Sequence, residues 1–184
     1  IQIAEIARRV EMGPGDDLPS TIDTAGKRAH FNNLGKEIGK LYSADRAEKI
    51  WSDRDVAAFR ASASPELWLA LRLALDTGQR QGDLLRLPWS AFDGAAISLT
   101  QSKTGADVTI PCTKELRAAL ETATRCSTLI LTNSRGQPWT PDGFRSSWQK
   151  ACRVAGITGV TFNDLRGTAV TRLAEAGCTV PEIA

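Results

Sequence analysis

The chain has 184 residues, 42% hydrophobic and 24% charged, which suits one or two folded domains and excludes a disordered or low-complexity chain. Its 23 basic and 21 acidic side chains leave a net charge of +2, ruling out a polybasic nucleic-acid coat but leaving room for a local basic site. Cys112, Cys126, Cys152 and Cys178 share no CxxC spacing and His30 is the one histidine, so no zinc site, disulfide framework or transition-metal centre is signalled.

IQIAEIARRVEM opens the chain with Ile3, Ile6, Ala7 and Val10 at helical spacing. GPGDDLPS, at 13–20, breaks regular structure, and 21–45 is polar. Residues 1–45 carry six basic and seven acidic side chains, the remainder seventeen and fourteen, and this shift places a boundary near residue 45. The reading is an N-terminal helical remnant and linker over 1–45 and a main domain over 46–184.

Ser52 precedes DRDVAAF, and Asp55 three residues on completes a capping pattern, predicting a helix over about 53–61. Ser64-Pro65 opens ELWLALRLALDT, apolar on most faces and so a buried helix, which ends at Thr77-Gly78. GDLLRL makes a short helix before Pro88. AAISLT (95–100) and DVTIPC (107–112) alternate around polar QSKTGA, a β-hairpin. Thr113 caps KELRAALETAT, and STLILT (127–132) predicts a further strand. Thr140-Pro141 starts DGFRSSWQKACRVAG, closed by Gly156, and VTFNDLRGTAVTRLAEAG gives a helix closed by Gly177, with another beginning at VPEIA. The fold class is α+β, mostly helical with a small antiparallel sheet. Trp51, Trp68, Trp89, Trp139 and Trp148 fall within or beside these elements and read as packing groups. No apolar run approaches the roughly 20 residues that cross a bilayer, and no secretory pattern opens the chain. The expectation is a soluble, cytoplasmic protein with no membrane contact.

Three cations stand out. Arg80 follows the buried helix, Lys103 sits at the hairpin tip, and Arg166 lies in the first turn of a largely apolar helix. Each alone is ordinary: arginines near helix ends and lysines at hairpin tips are usually solvated. Together, two guanidinium forks and one ammonium suit a phosphodiester and the extra charge of its five-coordinate transition state. Arg135, Arg145, Lys150, Arg153, Arg166 and Arg172 outnumber Asp142 and Asp164 within 135–172, marking a candidate DNA-facing surface. There Arg145, Lys150 and Arg153 would meet backbone phosphates, unless the run is simply a solvated helix face.

Over roughly 46–184 the sequence resembles the phage integrase, or tyrosine recombinase, family. TGQRQGDLLRL is similar to that family's first arginine box, SLTQSKTGADVTIP to its lysine hairpin, and FNDLRGTAVTRLAEAGCTVPEIA to its second box. The resemblance implies a mostly helical catalytic domain that cleaves and rejoins DNA strands through a 3′-phosphotyrosyl link, with no cofactor and no metal. Arg80 and Arg166 would hold the non-bridging oxygens, Lys103 would protonate the departing 5′ oxygen, and Asp83 would help hold Arg80. Partners implied are double-stranded DNA and further protomers, a tetramer on DNA, with 1–45 the tail of a DNA-gripping domain.

Two departures matter. Asn163 stands where the family's second box has histidine; it donates a hydrogen bond to a phosphate oxygen but shuttles no proton, and it also reads as a helix N-cap. Tyr42 is the one tyrosine and precedes the first box, whereas the family's nucleophile follows the second, so these 184 residues read as stopping short of the tyrosine segment. Two alternatives stay open: a catalytically silent DNA-binding factor on the same fold, and an unrelated helical scaffold with structural arginines.

Overall fold

The computed structural model of the chain describes residues 49–177. The expected helices at 1–12 and at VPEIA, the boundary near residue 45, and His30, Tyr42 and Cys178 lie outside the described residues.

Helix α1 spans Asp53–Ser62, and Ser52 and Asp55 cap it reciprocally, each side chain bonding the other's backbone. Helix α2, Pro65–Thr77, is the central rod: Ala70, Leu71 and Leu73 are fully buried, which stabilises the fold by about 1.5–3 kcal/mol per leucine. It ends where Gly78 turns to φ +62°, the left-handed conformation that a residue without Cβ adopts most easily. The short helix α3, Gln81–Leu84, follows, then a 3-10 turn at Trp89–Ala91.

Strands β1, Ala96–Thr100, and β2, Asp107–Pro111, pair antiparallel with Ala96 opposite Pro111 and Thr100 opposite Asp107. Such a hairpin is marginal alone; fully buried Ile97 ties it to the core. Helix α4, Lys114–Thr122, is capped by Thr113 and packs on α2. Helix α5, Pro141–Val154, starts with Thr140 accepting from the Gly143 amide, and α6, Asp164–Glu175, lies against α2.

STLILT forms no strand. Residues 128–130 do run antiparallel to 87–89, through Trp89 N to Thr128 O and Ile130 N to Leu87 O, both 2.9 Å. Those two bonds flank Pro88 and Leu129 as a non-hydrogen-bonded pair, where a proline costs no ladder bond; the bridge stays isolated because Leu87 N bonds Leu84 O and Trp89 O accepts from Phe92 N instead. The ladder stops there.

A second layer of the core is aromatic. Phe59 stacks 4.5 Å from Trp148, and the Phe162 ring stands edge-on to Trp148 at 4.7 Å and to Phe144 at 5.0 Å. Trp51 joins this cluster, donating its backbone N–H to Thr168 Oγ1 and its indole N–H to Thr161 O, each at 2.9 Å. Trp51 and Trp148 are buried, and Trp68, Trp89 and Trp139 pack half-buried on the core, as packing groups should. Among the described residues no helix is long and apolar enough to cross a membrane.

Candidate active site

The first arginine is placed by the end of α2. Gly78 reverses the chain, Gln79 is buried with its amide on Thr77 Oγ1, and Arg80 emerges extended as the N-cap residue of α3. Its guanidinium Nη1 donates to Gln101 Oε1 at 3.3 Å.

Gln101 begins the turn between β1 and β2. Its N–H donates to Ala106 O and its carbonyl accepts from Gly105 N, both at 2.8 Å. Lys103 stands exposed within that turn. It comes two positions after Gln101, so its Cα lies within about 7 Å of the residue holding Arg80.

The second arginine is placed by α6. Leu165 and Ala169 of that helix are buried, and Arg166 between them sends Nη1 to Gly78 O at 2.7 Å. That carbonyl belongs to a residue two positions before Arg80, again a backbone span of about 7 Å. The structure therefore gathers the Arg166 fork, the Arg80 segment and the Lys103 turn at the end of α2. It does so through Gly78 and Gln101, neither of which carries a charge.

The family resemblance implies that Asp83 holds Arg80, but its carboxylate goes elsewhere. Its Oδ1 accepts from the Ser102 amide at 3.2 Å and faces Arg86 Nη2 at 3.3 Å. Asp83 thereby fastens the lysine turn to α3, while Arg80 is held by Gln101.

Asn163 occupies the position before α6 with helical φ −66° and ψ −25°, and its side chain makes no capping bond. Its neighbour bonds the turn before the helix: Asp164 Oδ2 accepts from the Thr161 amide at 2.7 Å and from its hydroxyl at 2.8 Å. Asn163 instead lines a groove of about 530 Å³ with Gln81, Arg145, Gln149 and Arg153. On α5 the buried face is Phe144, Trp148, Ala151 and Cys152, leaving Arg145, Lys150 and Arg153 open to solvent. Arg145 bonds Asp142 at 3.0 Å, an exposed pair that solvent screens. Arg172 is bonded to Asp53 and so links α6 to α1.

The residues that sequence reasoning missed are Gln101 and Gly78. Gln101 gives one faint signal, being the residue directly before the Ser-Lys of the turn; Gly78 reads from sequence as a helix stop alone.

Away from this site, burial pushes the Asp76 carboxyl up to about 6, outweighing the Arg72 guanidinium 2.8 Å away. Burial likewise pushes the Cys112 and Cys152 thiols up to about 11, so neither is a ready nucleophile. Among the described residues no group of three or more His, Cys, Asp or Glu side chains is placed to hold a metal ion.

The sequence model of the phage integrase family matches residues 37–184. An integrase of Escherichia phage HK022 is 31% identical over 136 residues, covering 66% of this chain and 38% of its own length. A shufflon-specific DNA recombinase of Escherichia coli is 30% identical over 146 residues, covering 76% of this chain and 36% of its own length. The chain thus spans well under two thirds of the length of these curated relatives. The lambda integrase catalytic core superimposes with a TM-score of 0.59 at 26% identity, covering 68% of this chain and 82% of that one.

Proposed function

The chain belongs to the phage integrase family, and we propose that it supplies the catalytic domain of a tyrosine-type site-specific recombinase acting on duplex DNA. Arg80 and Arg166 take the two non-bridging oxygens of the scissile phosphate, and Asn163 adds a hydrogen bond. A tyrosine hydroxyl gives up its proton to solvent and bonds to phosphorus as the bond to the 5′ oxygen breaks, and Lys103 gives its own proton to that departing oxygen. The hydrolysable bond is exchanged for a phosphotyrosyl ester of similar energy, so the chemistry calls for neither cofactor nor metal.

The observation that carries this reading is the bond from Arg166 to Gly78 O, two residues from Arg80, whose own guanidinium reaches the root of the Lys103 turn. Three separate stretches, each bearing one of the cations, are tied together there. Tyr42 precedes Arg80 whereas the family's nucleophile follows the second arginine, so Tyr42 is not taken as the attacking group.

Residues 46–184 form the catalytic unit in this reading and 1–45 the end of a separate DNA-gripping unit. Arg145, Lys150 and Arg153 hold backbone phosphates beside the site. Recombination exchanges both strands of two duplexes, four cuts in all, and a site for one phosphate therefore works as a tetramer on DNA. The place of action is the cytoplasm, where the DNA lies.

A second reading is favoured by Asn163, which replaces the proton-shuttling histidine of the second box: a silent DNA-binding factor. The full-length protein offered a nicked suicide duplex separates the two. A covalent protein–DNA adduct supports the recombinase; salt-sensitive binding without adduct supports the silent factor.

A further inference from the structure

Gln101 is buried, with 8% of its surface exposed, although Thr100 and Ser102 on either side are open to solvent. Its Oε1 accepts from Arg80 Nη1 at 3.3 Å and from Thr104 Oγ1 at 3.0 Å. One amide oxygen therefore touches both the first arginine and the residue just past Lys103. Its backbone closes the same turn on Ala106 and Gly105, and the next amide, Ser102 N, is fastened to Asp83.

The chemistry of this acceptor matters as much as its place. A carboxylate against Arg80 would form a charge-assisted pair and draw the guanidinium's charge toward itself. An amide oxygen orients the fork through its dipole and leaves the net charge for an incoming anion. Burial of a neutral group in this position also avoids the desolvation cost of a buried carboxylate.

We propose that Gln101 is a positioning residue, holding the Arg80 guanidinium and the Lys103 turn in fixed relation while leaving Arg80 its full charge for the phosphate. This rests on the assignment of Arg80 as a phosphate ligand and Lys103 as the proton donor.

The test uses Gln101→Met and Gln101→Glu in the full-length protein, with thermal melting to confirm folding. Each is given suicide duplexes carrying either the ordinary 5′ oxygen or a 5′ bridging sulfur at the scissile phosphate; a thiolate departs without needing a proton. Methionine keeps the volume and removes the acceptor. It should cleave the oxygen substrate about 100-fold more slowly, the scale set by a misplacement near 1 Å. With the bridging sulfur it should recover at least about tenfold of that loss, since proton donation no longer counts. DNA affinity should move by only about threefold or less, because most phosphate contacts lie elsewhere.

Glutamate keeps both contacts and adds a charge, and it should be slower than wild type on both substrates. Either of two results overturns the proposal: Gln101→Met losing the same factor on oxygen and sulfur, or Gln101→Glu cleaving as fast as wild type. Should the methionine variant fail to melt cooperatively, the glutamate variant decides alone. A wild-type protein that forms no adduct on either duplex defeats the recombinase reading itself. A wild type that does, matched by both variants, defeats only the role of Gln101.

Discussion

Arg166 and Gly78 are joined across 88 positions of sequence, the arginine's Nη1 donating to the glycine's carbonyl at 2.7 Å. The glycine ends α2 in the left-handed conformation, and its carbonyl anchors an arginine from another helix. Arg166→Lys retains the charge but replaces a planar fork by one point donor, which cannot serve the Gly78 carbonyl and a phosphate together in the same geometry. Cleavage of a suicide duplex by the full-length variant should fall about 100-fold, the usual scale for losing an oriented transition-state donor. Filter binding should show a far smaller loss of DNA affinity.

Lys150→Ala and Arg145→Ala should each weaken DNA binding and make it less sensitive to salt. The slope of log K against log salt should become shallower by about one unit for each phosphate the variant no longer neutralises. Binding measured from low to moderate salt checks this. Arg145 lies in an exposed pair with Asp142, so melting temperature should hardly change. An unchanged slope for both variants would move the DNA-facing surface away from α5.

Asp76 predicts a pH dependence of folding. Its carboxyl titrates near 6 when folded against an ordinary aspartate value of 3.8, so between those values the folded state binds more protons than the unfolded one. Stability should therefore be higher at the acid end of this window and decline as pH rises from about 4 to 6, by up to about 3 kcal/mol. Urea unfolding at a series of pH values reads this directly. In Asp76→Asn, which carries no titrating group, that decline should flatten.

Thr168→Val should destabilise the domain by about 1–3 kcal/mol, because it leaves the buried Trp51 amide without its acceptor. Thr171→Val provides the control: that hydroxyl bonds Gly167 O within its own helix. Urea midpoints for the pair should differ clearly, with the second near wild type.

The elements that could be read from sequence are those whose causes are local. Ser52, Thr113 and Thr140 each cap a helix through residues at most three positions away, so short motifs suffice to place them. Arg80, Lys103 and Arg166 stand out because three spaced boxes carry them in order. The strand expected at 127–132 failed for a reason located on its neighbour, whose Leu87 amide and Trp89 carbonyl are taken by local turns, which no inspection of STLILT reveals. Asp83 and Asn163 show the same limit at the site. The family resemblance implies that Asp83 serves Arg80, and position suggests that Asn163 caps α6, yet Asp83 reaches Ser102 and Asp164 organises the turn. Gln101 acts on a residue 21 positions away, and its importance exists only once the hairpin folds back on α3.

The bond between Trp51 and Thr168 gives the domain a lever. Thr168 lies two residues beyond Arg166, about 3 Å along the same helix axis. The chain entering α1 is thereby tied, inside a close-packed interior, to the helix that carries the second arginine.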